Sequence, residues 1–309
     1  MNKNKNSKIF KSGYVGLIGR TNTGKSTLIN NIVGRNAVIT SDKAQTTRNR
    51  INCIYNTPVY QAVFVDCPGF FKPRNLLGKK LNSIIYEVLS DVDVICAVVD
   101  AAAGIGRGDR YVFEQVKNKS KPSILVLNKI DLLPDSALKE LPGMIHELKK
   151  EYNFFKDILI ISARTGENVS GLLDMVSGML PAGPKYFPDN MVTDMPLAKM
   201  VSEIIREKLS ENLFEELPHS VSVAVENMVQ SRTSGKEDIT RIECSIYVEK
   251  KSHKAMIIGK SGANLKKTGE LSRMELESFL GTKVYLELWV KVLENWTKNE
   301  HYINKLGYA

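Results

Sequence analysis

Between residues 14 and 181, short apolar runs alternate with stretches patterned for helices. The runs are YVGLIG (14–19), VYQAVFVD (59–66), VDVICAVVD (92–100), PSILVLN (122–128) and DILIISA (157–163). They are rich in Val and Ile and apolar on both faces, as central strands of a helix-covered parallel sheet are. The intervening stretches KSTLINNIV (25–33), LNSIIYEVL (81–89), YVFEQVKN (111–118) and NVSGLLDMVSGML (168–180) repeat at helical spacing. This alternation predicts a doubly wound α/β domain over 13–181, with its chemistry in loops that follow the strands.

After Pro181 the pattern changes. Residues 182–196 hold three prolines and predict a semi-rigid linker. A helix follows, with the stripe Leu197, Met200, Val201, Ile204, Ile205, Leu209 and Leu213. Two strands of period two come next, Val221/Val223/Val225 and Ile242/Cys244/Ile246/Val248, joined by the turn-rich SRTSGKED. A short helical start (AMIIGKSG), a helix over about 263–280 and a strand alternating Val284/Leu286/Leu288/Val290/Val292 complete the pattern. The order α-β-β-α-α-β over 197–309 is a compact α+β unit.

The 309 residues carry a net charge of +9, and the whole surplus lies in the first fifty, with ten Lys and Arg against Asp42 alone. Residues 1–12 therefore predict a flexible basic tail, and the remainder is neutral. The net charge does not describe a basic surface. Cys53, Cys67, Cys96 and Cys244 are far apart, and the four histidines lack ligand spacing. That excludes a disulfide framework or a zinc site and fits reduced thiols in a cytoplasmic protein. No apolar run reaches the roughly 18–20 residues of a spanning helix, and MNKNKNSKIFKSG lacks a signal peptide's apolar segment.

The loop after the first strand reads Gly19-Arg20-Thr21-Asn22-Thr23-Gly24-Lys25-Ser26, followed by Thr27. It is a G-x-x-x-x-G-K-S phosphate loop in its required strand-to-helix setting. Its backbone amides and the helix N-terminus face phosphate oxygens, Lys25 reaches the β- and γ-phosphates, and the Ser26 hydroxyl ligates Mg²⁺. Asn128-Lys129-Ile130-Asp131 follows a strand, and its Asp can accept N1–H and N2–H of guanine, a donor pair adenine lacks. Ser162-Ala163 ends the next strand and supports the same base. In Asp66-Cys67-Pro68-Gly69, Asp66 is placed to hold Mg²⁺ through water and the Gly69 amide to meet the γ-phosphate. Within Gln45-Thr46-Thr47-Arg48, Thr47 is the candidate to complete the metal shell, with Thr46 as the alternative. The position after Gly69, where a glutamine often positions water, holds Phe70 and then Phe71. Hydrolysis is then slow unless charge comes from elsewhere, and Asn22 suggests a monovalent cation such as K⁺.

In the second domain, Ile257-Ile258-Gly259-Lys260-Ser261-Gly262 joins two helices. The glycine pair permits close approach of a sugar-phosphate chain. Residues 250–267 carry six lysines and no acid, among them Lys254, Lys260, Lys266 and Lys267. Loop, charge and element order together point to a type II KH clamp for single-stranded RNA.

With these motifs in this order, the chain resembles the Era GTPase family over essentially residues 14–295. The resemblance implies a translation-type GTPase core using GTP, GDP and Mg²⁺, and a KH domain that binds 16S-type ribosomal RNA near its 3′ end. It further implies a role in small ribosomal subunit assembly, a monomer, and peripheral membrane contact. Family members commonly read GRPNVGKS and DTPG. Here Thr21, Thr23 and Cys67 stand in places that are not phosphate, metal or base ligands. Three alternatives remain: a double-G-domain relative, which needs a second phosphate loop this chain lacks; a P-loop ATPase; and an RNA-binding scaffold that uses GTP only as a conformational ligand.

Overall fold

The computed structural model describes residues 9–34, 37–38, 47–212, 220–231 and 238–308. Gln45, Thr46, Leu213, residues 232–237 of the stretch expected to turn, and the lysines at 3, 5 and 8 lie outside them. The chain divides into two compact units chiefly at Asp194 and Met195, with Pro73–Leu81 grouped with the second.

The first unit is built on a six-stranded sheet of order β2-β3-β1-β4-β5-β6. Its strands are β1 (Lys11–Ile18), β2 (Ile51–Asn56), β3 (Tyr60–Asp66), β4 (Val94–Asp100), β5 (Ser123–Asn128) and β6 (Asp157–Ile160). β4 and β5 are buried almost throughout, because helices cover both faces of a parallel sheet. The helices are α1 (Lys25–Val33), α2 (Leu76–Asp91), α3 (Arg107–Lys117), α4 (Asp135–Glu151) and α5 (Val169–Met179). β1 pairs in parallel with β3 on one side and β4 on the other, so strand order reverses beside it. The crevice at such a reversal is where doubly wound sheets bind ligands, and the phosphate loop emerges there.

Two elements escape the hydrophobic pattern. β2 is an edge strand antiparallel to β3, turned by Thr57, whose hydroxyl accepts the Tyr60 amide at 2.9 Å. Its mixed INCIYN sequence has no clean period because the edge position asks for none. α4 contains Pro142 and Gly143, which argue locally against a helix; it buries only Leu141 and Leu148.

The segment 182–196, proline-rich as a linker would be, is fastened to the first unit for most of its length. The Ile54 amide donates to the Val192 carbonyl at 2.8 Å, and Asn52 Nδ2 donates to Asp194 at 2.6 Å. The Gln61 side chain, fully buried, accepts from the Tyr186 amide at 2.7 Å. Its partners are the β2 backbone, through Ile54 and an antiparallel bridge between Cys53 and Thr193, and the side chains of Asn52 and Gln61. At the other end, β1 already begins at Lys11, two residues inside the span expected to be a tail.

The second unit contains α6 (Leu197–Asn212), β7 (Ser222–Ser231), β8 (Ile239–Val248), α7 (Lys251–Ile258), α8 (Ala263–Leu280), β9 (Lys283–Val292) and α9 (Glu300–Lys305). β8 is central, antiparallel to β7 and parallel to β9. One sheet face is buried with α6 and α8 in a core that includes Val201, Ile205, Ile242, Cys244, Ile246 and Leu276. After β9 the chain returns to this unit: Trp296 is fully buried, donates Nε1 to the Ser220 carbonyl at 3.0 Å and stacks on Tyr308. All four cysteines are buried thiols.

Candidate nucleotide site and RNA groove

The loop from Gly19 to Ser26 leaves β1 and enters α1 through Gly24, whose φ of 89° is left-handed. A Cβ there would lie 2.3 Å from Asn128 Nδ2, so this position needs glycine on two counts. Asn22 takes a φ of 64° at the exposed bend of the loop. Thr23 is buried, and its hydroxyl donates to the Arg20 carbonyl at 3.2 Å. Lys25, 6% exposed, donates Nζ to the same carbonyl at 2.7 Å. Burial pushes its ammonium below the ordinary lysine value, against the pull of Cys67 and Asp66. Thr21 lies beside Gly69, where a Cβ would stand 2.4 Å from the Thr21 nitrogen. Thr27 is half-buried on α1.

Ser26, Thr47 and Asp66 converge from α1, the segment before β2 and the end of β3. Asp66 Oδ2 accepts from Ser26 Oγ at 2.9 Å and from Thr47 Oγ1 at 3.0 Å, and the two hydroxyls are 3.2 Å apart. Asp66 is fully buried, and its Oδ1 has no hydrogen-bond partner among the described residues. Burial pushes this carboxyl up, while Lys25 and the two hydroxyls oppose the shift. A buried carboxylate with one orphaned oxygen, flanked by two hydroxyls, is a hard-oxygen donor set suited to Mg²⁺. Thr46 lies outside the described residues, and Thr47 is the threonine seen at this cluster.

The base-side motif forms a second cluster. Asn128 bridges two loops, donating Nδ2 to the Thr23 carbonyl and accepting the Ala163 amide at Oδ1, each at 2.8 Å. Ala163 thus spends its amide on Asn128, a connection the tetrapeptide alone does not reveal. Asp131 Oδ1 accepts from Ser162 Oγ at 2.6 Å, and the Thr165 amide donates to the same hydroxyl at 3.1 Å. Lys129 sits at φ 68° and pairs with Asp100 at 2.7 Å. Asp100 was absent from the sequence-based set because it ends β4, far from the motif in the chain.

Phe70 is 6% exposed and packs edge-on against Tyr86 and Tyr111, each ring centroid 5.6 Å away. Its amide donates to the Gly19 carbonyl at 2.9 Å. The Arg20 side chain points away from the loop's interior, to Asp109 at 2.8 Å.

In the second unit α7 ends at Gly259, whose φ of 73° and ψ of 177° only glycine adopts readily. A Cβ there would meet Asn264 Cγ at 2.7 Å, and Asn264 Nδ2 donates back to the Met256 carbonyl at 3.0 Å. Ser261 (φ 50°) and Gly262 (φ 80°) then turn the chain into α8. Lys260, Ser261, Lys266 and Lys267 are exposed, and Lys254 and Ile258 are half-buried. Ile257, a candidate RNA contact by sequence, is 1% exposed in the core and holds the loop from beneath.

A groove of about 450 Å³ runs between α8 and β9. Of the residues read from the motif, Gly262 and Lys266 line it, together with Leu265, Glu270, Arg273, Tyr285, Leu286 and Leu288. The apolar floor suits bases and the cationic rim suits phosphates. The β9 residues were missed because strand periodicity reports burial, not which helix the strand lies against.

A phosphate loop at a sheet's switch point, followed by a three-stranded KH unit, defines a P-loop GTPase with a C-terminal KH domain. A family model described as "50S ribosome-binding GTPase" matches residues 14–129, and one described as "KH domain" matches 216–297. GTPase Era of Alkaliphilus oremlandii is 48% identical over 97% of this chain and 99% of its own length. GTPase Era of Staphylococcus epidermidis is 44% identical, covering 97% of each chain. A crystal structure of Era in complex with MgGDPNP and nucleotides 1506-1542 of 16S ribosomal RNA matches at TM-score 0.92 and 38% identity. It covers 97% of this chain and 99% of that one. A point variant of Aquifex aeolicus Era bound to GDP.AlF4- matches at TM-score 0.91 and 37% identity, covering 97% of this chain and 100% of that one. The chain belongs to the Era family of GTPases.

Proposed function

We propose that this protein is a GTP-hydrolysing switch that binds single-stranded 16S-type ribosomal RNA near its 3′ end and assists small-subunit assembly. The observation that carries the nucleotide half is the convergence of Ser26 and Thr47 on buried Asp66, beside Lys25. In this reading the amides of residues 19–27 cradle the phosphates and Lys25 neutralises charge on them. Ser26 and Thr47 ligate Mg²⁺ and Asp66 holds it through water; when bound, the ion supplies positive charge to the β- and γ-phosphate oxygens. Gly69 offers its amide to the γ-phosphate. Asp131, oriented by Ser162 and flanked by Lys129 and Ala163, reads guanine, while Asn128 ties this loop to the phosphate loop.

Phe70 has no group that hydrogen-bonds water, and its ring is held by Tyr86 and Tyr111. Catalysis therefore rests on electrostatics, with intrinsically slow turnover; Asn22 would be the residue to hold a K⁺ ion, which would supply added positive charge beside the phosphates. The α8–β9 groove with the Gly259–Gly262 loop supports the RNA reading, as does the 16S ribosomal RNA carried by the matching Era structure. Single-turnover GTP hydrolysis with and without a 3′-terminal 16S RNA fragment tests both halves. RNA bound in the groove should leave GTP affinity intact and change turnover. Absence of saturable RNA binding in either nucleotide state refutes the RNA half. Co-sedimentation with small ribosomal subunits tests the assembly role.

A further inference from the structure

Arg20 occupies the first variable position of the phosphate loop, yet its side chain reaches α3. Its Nε donates to Asp109 Oδ1 at 2.8 Å, and Asp109 is 1% exposed. The other oxygen, Oδ2, accepts the Gly106 amide at 2.9 Å and so caps the start of α3. Gly108 closes the clamp, since a Cβ there would lie 2.5 Å from Arg20 Cδ. One buried carboxylate is thus divided between a helix cap and the phosphate loop.

What hangs on Arg20 is its backbone. Its carbonyl accepts both Lys25 Nζ at 2.7 Å and Thr23 Oγ1 at 3.2 Å. Arg20 also forms an isolated parallel bridge with Phe70, one residue beyond Gly69. The Phe70 ring in turn packs on Tyr111, two residues past Asp109 on the same helix. The first turns of α3 therefore grip the phosphate loop through Asp109 and the end of the Asp-x-x-Gly motif through Tyr111.

We propose that Asp109 is a positioning residue for GTP hydrolysis, acting through Arg20 to hold the carbonyl against which Lys25 is set and the backbone pairing that orients Gly69 and Phe70. The proposal rests on the reading of Lys25 as the phosphate-binding lysine. The physical argument is one of charge and geometry. A carboxylate accepts two donors at once, whereas an asparagine presents one acceptor and one donor, so Asp109→Asn must release either Arg20 or the Gly106 amide. A charge-assisted hydrogen bond to a buried carboxylate fixes position better than a neutral one, and misplacement by about 1 Å near reacting groups costs up to about a hundredfold in rate.

The test is steady-state GTPase kinetics and thermal unfolding of the full chain carrying Arg20→Ala, Asp109→Asn, both together, and Lys25→Ala. Each single change should lower kcat by about tenfold or more with a smaller change in KM, and the double variant should be no slower than the slower single. Arg20→Lys, which keeps a cationic donor, should recover part of the loss. Arg20→Ala leaves the Asp109–Gly106 cap in place, so a merely structural role for Asp109 predicts lowered melting in Asp109→Asn and wild-type kcat in Arg20→Ala. That pattern, or rate losses that multiply in the double variant, overturns the proposal. Lys25→Ala separates the two readings. If it turns over normally, the assignment of Lys25 falls; if it is inactive while Arg20→Ala is normal, only the role of Asp109 falls.

Discussion

The Ser162 hydroxyl donates to Oδ1 of Asp131 over 2.6 Å, joining the loop after β6 to the loop after β5. The carboxylate is thereby aimed before any base arrives, with Ser162 itself held by the Thr165 amide. Asp131→Asn replaces an acceptor with a donor and should cut GTP affinity by about a hundredfold or more, since two charged hydrogen bonds of ~1.5–3 kcal/mol each are at stake. Xanthine nucleotides should gain correspondingly. Titration with fluorescent guanine and xanthine nucleotides measures both, and an unchanged preference would remove Asp131 from base recognition.

Thr47→Ala deletes one of the two hydroxyls on Asp66. The Mg²⁺ concentration for half-maximal GTPase activity should rise by about tenfold, with GTP binding weakened more than GDP binding. Identical Mg²⁺ titrations for the variant and the parent would place the metal elsewhere.

A potassium effect is expected at Asn22, which stands at the exposed bend of the phosphate loop. GTP hydrolysis should run severalfold faster in potassium than in sodium buffer, and Asn22→Ala should abolish the difference. Equal parent rates in the two salts would end this role.

RNA affinity should depend on the glycine loop and on α8 together. Combined Lys260→Ala and Lys266→Ala should weaken binding uniformly across sequences. The slope of log affinity against log salt should fall by about 0.7 for each phosphate these lysines neutralise. GTP affinity, measured in parallel, should not move. A slope equal to the parent's would show that these lysines face solvent only.

Glu207 on α6 is 8% exposed, and burial lifts its carboxyl from 4.5 to about 7, with Glu275 of α8 and Glu211 adding to the shift and Lys208 opposing it. Between those values the folded state keeps a proton that the unfolded chain releases, so stability falls as pH rises through this window and levels off above it. Glu207→Gln should flatten the decline in melting temperature of the KH unit between pH 4.5 and about pH 7. A variant with the parent's full pH dependence would assign the effect to another group.

Much of this protein could be read in one dimension, because its chemistry follows the chain. β1, the phosphate loop and α1 are contiguous, so glycine placement and apolar runs specify strand, cradle and helix at once. Asp131 and Asp66 are legible for the same reason: each lies at or just beyond the end of a buried strand whose Val and Ile content announces it. The KH unit showed its element order through clean alternation on β7, β8 and β9. Where residues satisfy no local preference, the pattern was silent. The edge strand β2 and the proline-containing α4 are held by tertiary partners, and so is the segment 182–194, whose prolines suggest a linker but whose backbone is claimed by Asn52, Ile54 and Gln61. The remaining decisions concern pairs distant in the chain: Asp109 with Arg20, Asp100 with Lys129, and β9 with α8. Residue type and spacing set which groups could act on phosphate, guanine or RNA. Only folding decided which of them meet, because partners distant in the chain are brought together by packing, and partial burial strengthens the charge pairs so formed.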